Sequence, residues 1–202
     1  MPDPSTVPTL AEIWEQIWEQ LSVACDRVNH PWGCAVLSNC TEDGPAARTV
    51  VLRRLSRLER WLFAHTDRRS PKVSQLQRFP KAVWTFYDST SREQLVVAST
   101  IQVLTSGEQF ERCWHESRPE SLHCYLGPYA PGTIASQAES NMPQGLPWLA
   151  QSPEQLQMGR DNFAALHATI YAIDWLRLSS GGNLRAHWDW QGDDWVGHWR
   201  AP

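Results

Sequence analysis

Two short stretches hold the residues whose types and spacing suit chemistry. Arg48-Thr49-Val50-Val51-Leu52-Arg53 alternates polar and apolar side chains, so as a strand it sends Arg48, Val50 and Leu52 to one face and Thr49, Val51 and Arg53 to the other. Thr66-Asp67-Arg68-Arg69-Ser70-Pro71-Lys72 places an N-cap serine, a proline preset for the first helical turn and a lysine at the mouth of a new helix. A helix N-terminus offers unpaired amide donors and a partial positive charge. With Thr66, Arg68, Arg69, Ser70 and Lys72 crowded at one such end, the chemistry on offer is capture of a phosphate. The competing reading is a capped surface helix with a solvated basic face.

The elements that must position these residues follow from periodicity. Thr9 and Glu12 form a capping box, and Leu10, Ile13, Trp14, Ile17, Trp18, Leu21 and Val28 recur at helical spacing, which predicts an N-terminal helix within residues 9–29. Met1–Pro8 is proline-rich and expected to be loose. After a turn at His30-Pro31, strands are expected over Trp32–Leu37, Ala46–Leu55 and Arg60–His65, with a hairpin turn at Thr41–Pro45. A short helix over Ser70–Phe79, strands over Lys81–Tyr87 and Glu93–Leu104, and a helix over Gly107–Glu116 come next. Leu126–Gly145 reads as a long loop and Gln155–Arg160 as a short helix. Phe163–Leu178 is one long strand or a strand pair, and Leu184–Trp190 with Asp194–Arg200 forms a closing hairpin around Gln191-Gly192-Asp193. Consecutive strands with few helices between them imply a mainly β chain with flanking helices, an α+β fold whose antiparallel sheet closes into a barrel.

Composition excludes several function classes. The 202 residues suit a single domain over the whole chain. A net charge of -4 gives no general attraction to nucleic acid or anionic lipid, whereas the clustering of basic residues between Arg48 and Arg78 points to a local anion site. Lys72 and Lys81 are the two lysines, so the positive charge is mostly arginine, suited to bidentate contacts. Five cysteines without metal or redox spacing read as reduced thiols in a cytoplasmic protein, and no apolar run is long enough to span a membrane. The histidines are scattered without metal-ligand spacing, so no metal is expected. Twelve tryptophans are core and interface filler by default, or walls for a planar ligand.

Taken in order, Arg48–Arg53, Thr66–Lys72, Gln94 within Arg92-Glu93-Gln94-Leu95, and the ending from Trp175 to Pro202 resemble the pyridoxamine 5′-phosphate oxidase-related family of FMN-binding split β-barrels. The resemblance runs from about Trp32 onward. It implies a homodimer with FMN in clefts at the subunit interface, and a flavin that supplies the redox chemistry without a protein catalytic dyad. Residue by residue, it implies that Arg48 contacts the FMN phosphate or ribityl region, that Val50 and Val51 are its neighbours along the flavin edge, and that Thr49 is also a cofactor-binding residue. Arg53 stands where the vitamin B6 oxidases have a lysine beside flavin and substrate, and is a pocket residue or an exposed strand residue. His65 and Thr66 match a pair at the end of the third strand, although His65 reads equally as a core histidine. Ser70 and Lys72 match phosphate-loop positions, Gln94 a cofactor-bonding glutamine, and Trp175 and Arg185 the tryptophan and arginine that complete the site. Trp175 as packing is the alternative. Gln137 is a further flavin contact, in a loop that aligns less well.

Departures from the family pattern matter as much. Where the vitamin B6 oxidases carry Arg-Leu-His-Asp-Arg, this chain has Gly181-Gly182-Asn183-Leu184-Arg185, keeping only the arginine assigned to FMN. Around Trp114–Arg118 an arginine remains for a substrate phosphate, but Trp114 replaces a tyrosine and Leu122 a serine. Arg53, Trp114, Arg118 and Asn183 are therefore the substrate-side candidates, with Tyr129 in the adjoining loop. The expectation is an FMN-dependent oxidoreductase acting on an unidentified small substrate. A true pyridoxamine 5′-phosphate oxidase, a non-catalytic flavin-binding or sensing protein, and a barrel that binds haem instead are the alternatives.

Overall fold

The computed structural model describes residues 7–138, 140–143, 145 and 152–202. The first six positions of the expected loose N-terminus, and Glu139 and Gln144 of the long loop, lie outside the described residues. Helix α1 spans Leu10–Asp26. Its capping box is present: Glu12 N donates to Thr9 Oγ1 at 3.2 Å, and Thr9 N donates to Glu12 Oε2 at 2.7 Å. Ile13, Ile17, Trp18, Leu21 and Ala24 form its buried stripe, the 3-to-4 spacing that lays one face on a sheet. The helix stops at the extended Arg27, short of Val28, which is exposed.

Among the described residues nine strands follow, all paired antiparallel: β1 Cys34–Thr41, β2 Gly44–Val51, β3 Arg54–Ser56, β4 Trp61–Asp67, β5 Lys81–Asp88, β6 Glu93–Leu104, β7 Phe163–Arg177, β8 Leu184–Trp190 and β9 Trp195–Arg200. The sheet order is β2-β1-β5-β6-β7-β4-β3, with β8 on β7 and β9 on β8. Strand β7 is single and 15 residues long. It pairs with β6 on one side, while its other side serves β4 at Phe163–Thr169 and β8 at Ala172–Arg177. That division splits the barrel.

Two strand expectations are corrected. Trp32 lies in a 3₁₀ turn, Pro31–Gly33, with its indole buried, because His30 Nδ1 accepts from Trp32 N at 3.1 Å and fixes the turn. The stretch Ala46–Leu55 is two strands. At the break Leu52 N donates to Gly33 O at 2.9 Å, whereas Arg53 N donates to Phe63 O at 2.9 Å. The chain thus leaves β1 and joins β4 within two residues, and this change of partner bends the sheet into a barrel.

Short helices fill the gaps: α2 Pro71–Arg78, α3 Glu108–His115, α4 Pro119–Leu122 and α5 Pro153–Gln157. The main core lies between α1 and the sheet around Leu37, Trp84, Phe86, Val97 and Trp175. A second cluster gathers Phe63, Phe110, Trp114, Tyr125 and Phe163 beneath α3. Most tryptophans are filler in or against these two clusters.

Candidate functional site

Strand β2 alternates as its sequence requires: Val50 and Leu52 are buried, Thr49 and Val51 are exposed, and Arg48 points with Val50 toward α2. Arg48 Nη1 donates to Leu37 O at 3.3 Å and to Asn39 Oδ1, and Nη2 donates to Gln75 Oε1 at 2.9 Å. All three acceptors are neutral. They fix the guanidinium without compensating its charge, and burial lowers its pKa.

Lys72 stands on the first turn of α2. Its Nζ donates to Ser70 Oγ at 2.8 Å and to Thr66 Oγ1 at 3.1 Å. Ser70 occupies the N-cap position, but its hydroxyl makes no cap hydrogen bond and holds the ammonium instead. Burial lowers the Lys72 pKa first, and the nearby Arg48 charge lowers it further. The nearest carboxylate is already taken: Asp67 binds Arg69 in a fork, Nε to Oδ1 at 3.0 Å and Nη2 to Oδ2 at 2.7 Å. Arg69 also donates to Gly127 O at 2.9 Å and so ties the long loop down. Arg68 faces away, toward the carbonyl of Asp161 at 3.5 Å. At the mouth of α2, Arg48 and Lys72 are left without an ion-pair partner, with two hydroxyls between strand end and helix mouth and only the Asp67 carboxylate, bound to Arg69, partly offsetting the Lys72 charge. This donor set fits a tetrahedral dianion.

A cavity of about 300 Å³ runs from Lys72 and Thr66 past Val50 to Val51, Arg53 and His65, with Tyr125 on its far side. A second cavity, about 440 Å³, shares Val51, Arg53 and His65 with the first and continues under Cys25, Ser117 and Arg118. Arg118 is exposed and donates to Asp26 O at 3.4 Å. Its neighbour Arg54 is paired with Glu116 at 2.7 Å.

The remaining candidates lie elsewhere in the chain. Cross-strand register puts Gln94, Leu176 and Arg185 in one row, with Leu95, Trp175 and Ala186 in the next. Alternate rows face opposite sides. Trp175 is buried in the main core, 1% exposed, while Gln94 and Arg185 are half-buried on the outward face. Arg185 Nε donates to Asp174 Oδ1 at 3.0 Å and Oδ2 at 3.2 Å. The same outward face carries Thr49, Val36 and Tyr87 through the pairings Val36↔Thr49, Val36↔Thr85 and Tyr87↔Gln94. Gln94, Trp175 and Arg185 line neither cavity. Gln137 is exposed, Trp114 is packed in the second cluster, and Asn183 accepts from Ser179 N at 3.0 Å to order its own loop. Tyr129 is exposed, in the long loop. Among the described residues no three His, Cys, Asp or Glu side chains group as a metal site.

Sequence reasoning passed over Asn39 and Gln75, which hold Arg48, and Ser117, which reaches His65. Asn39 lies two residues from the register partner of Arg48, a relation visible only once β1 and β2 are paired.

Comparison with known proteins accords with this geometry. Residues 12–105 match the family model described as pyridoxamine 5′-phosphate oxidase, FMN-binding domain. No curated protein sequence matches the chain. A crystal structure of a pyridoxamine 5′-phosphate oxidase-related, FMN-binding protein from Nostoc punctiforme superposes with a TM-score of 0.74 at 20% identity, covering 98% of this chain and 100% of that one. PhzG from Burkholderia lata, in complex with tetrahydrophenazine-1-carboxylic acid, superposes at 0.64 and 16% identity, covering 100% of this chain and 97% of that one. No helix among the described residues is long and apolar enough to cross a membrane. Residues 12–105, just under half of the chain, are thus similar to the FMN-binding domain of the pyridoxamine 5′-phosphate oxidase family, and this match supports FMN as the cofactor.

Proposed function

We propose that the protein is a homodimeric FMN-dependent oxidoreductase of the cytoplasm, one domain per chain, acting on a small substrate other than pyridoxamine 5′-phosphate. The observation that carries the cofactor assignment is the uncompensated pair Arg48 and Lys72 at the mouth of α2. In this reading they hold the FMN phosphate together with Ser70 and Thr66. Thr49, Val50, Val51, Arg53 and His65 then border the ribityl chain and the ring. When bound, FMN supplies hydride or electron exchange, and the protein's part is to place it and exclude water.

The dimer follows from what one chain leaves unfinished. Val36, Val51 and Tyr87 are exposed on the outward face that also carries Gln94 and Arg185. A second copy covering this face would bury that apolar surface and bring its own Gln94 and Arg185 toward the cavity. Five free cysteines accord with a reducing compartment. Gly181 and Asn183 stand where the vitamin B6 oxidases bind their substrate, and Asn183 is engaged with its own loop. This argues against pyridoxamine 5′-phosphate. That PhzG carries a tricyclic carboxylic acid supports the view that the fold takes other substrates.

The test is an absorption spectrum of the purified protein followed by titration with FMN and riboflavin. FMN is expected to bind at least about 100-fold tighter, the lower end for two charge-assisted contacts to phosphate, and Lys72→Met is expected to remove most of that preference. Equal affinity for the two flavins, or a protein that takes neither, would overturn the assignment.

A further inference from the structure

The wall shared by the two cavities contains two polar atoms without a partner. Arg53 Nε and His65 Nε2 are closed off from solvent and have no hydrogen-bond partner. Both residues line both cavities. A buried donor or acceptor left unpaired costs about 1–3 kcal/mol, so two in one wall call for a reason.

The hydrogen bonds of Ser117 determine what His65 offers. Ser117 Oγ lies 2.6 Å from the carbonyl oxygen of Cys113 and 3.4 Å from His65 Nδ1. A carbonyl only accepts, so the single hydroxyl proton goes to Cys113 and a lone pair of Oγ faces the ring. Nδ1 must then carry the hydrogen. Burial, with Arg53 and Arg54 nearby, pushes the imidazole pKa down to about 3, so the ring is neutral and holds one hydrogen only. Nε2 is a bare acceptor.

Arg53 is its complement. Arg54 is compensated by Glu116 and Arg118 leans on the Asp26 carbonyl, whereas the Arg53 side chain makes no hydrogen bond or ion pair among the described residues. Its guanidinium can therefore turn on its single bonds and open the wall without breaking a bond.

We propose that Arg53 and His65 together read a small organic anion that carries an N–H or O–H donor beside its carboxylate. The guanidinium takes the carboxylate, and Nε2 accepts from the adjacent donor. A ligand of the same shape with an acceptor in the donor's place sets lone pair against lone pair and is refused. This names a substrate class for the site under Proposed function, and it rests on that reading only in that the first cavity is the flavin's.

The experiment uses the full chain supplied with FMN. Nitrogen-15 NMR of histidine-labelled protein is expected to show His65 as the Nδ1–H tautomer. Calorimetric titration then compares indole-2-carboxylate with benzofuran-2-carboxylate, which replaces the ring N–H by oxygen and changes little else. The indole acid is expected to bind about 10-fold tighter or more, and to shift the Nε2 resonance. His65→Phe should bring the ratio close to one and Arg53→Met should weaken both acids. The NMR measurement on the unaltered chain stands even where a variant fails to fold. An Nε2–H tautomer, equal affinities, or no binding of either acid overturns the proposal. A chain that takes no FMN yet separates the two acids refutes the flavin reading and leaves this one intact, and bound FMN without that separation does the reverse.

Discussion

Two arginines on well-separated strands of one sheet, β2 and β8, are treated in opposite ways. Arg48 is fixed by a carbonyl and two side-chain amides, all neutral, and shares its surroundings with the ammonium of Lys72. Arg185 is fixed by the carboxylate of Asp174, which also receives His187 Nδ1 at 3.1 Å and has Arg200 at 3.7 Å. A folded chain gains nothing by keeping two like charges close and uncompensated, so the first region is shaped for an anion that is not part of the chain. The second carries its own anion. Arg185 Nε is engaged, so its other N–H groups suit neutral acceptors such as hydroxyls or ring carbonyls better than a phosphate.

The largest effect that would break this comparison comes from Asp174. It is 8% exposed, and its removal leaves the Arg185 and Arg200 guanidiniums facing each other and His187 Nδ1 without its partner. Taking one partner from a buried ion pair typically costs 3–5 kcal/mol. Because Arg185 is 38% exposed on its side chain, Asp174→Ala is expected near the lower end, about 3 kcal/mol. Urea unfolding at unchanged slope measures it. A loss under about 1 kcal/mol would mean that water already compensates these arginines and that the two regions do not differ.

Much of the scaffold was legible because it rests on local rules. The Thr9–Glu12 box, the Ser70-Pro71 helix start and the Gln191-Gly192 turn each need only their own residues, and all three elements form. The break at Leu52-Arg53 was not legible, since its cause is two hydrogen bonds to Gly33 and Phe63 across the sheet. Arg48 and Lys72 stood out by type and spacing. Which of the surrounding cations stay uncompensated did not, because that depends on Asp67 choosing Arg69, and on Asn39 and Gln75 supplying uncharged partners. Ser70 shows the same limit: its position is that of a cap, yet its hydroxyl serves Lys72.

The next effect in size tests, through pH, the cavity wall that continues from the first region. His65 has a folded pKa lowered to about 3 from 6.5. Below about 6.5 the unfolded chain binds a proton that the folded chain does not, so stability falls as pH drops across that window and levels off near the folded value. At 1.36 kcal/mol per unit, trimmed for partial exposure, roughly 2 kcal/mol should be lost by about pH 4. His65→Phe should flatten that part of the curve, seen as unfolding midpoints from about pH 7 to pH 4. An unchanged slope in the variant would mean that other groups carry the acid sensitivity and that His65 is not held neutral by its surroundings.

The smallest effect has the opposite sign and bears most directly on function. Lys72→Met removes a half-buried ammonium whose pKa is lowered by burial and by Arg48. In the ligand-free chain that charge is a burden. Its folded pKa lies below 10.5, so the unfolded chain holds the proton more tightly, and the penalty is present at neutral pH and relieved only as pH rises toward that value. Methionine of similar length keeps the packing while Ser70 and Thr66 lose one donor. The variant should gain about 0.5–1 kcal/mol, the scale found when strain built in for function is relaxed. A chain more stable without Lys72, beside one less stable without Asp174, would be the energetic signature of a site kept charged for a ligand; a loss of stability in both would mean that Lys72 is held for the fold.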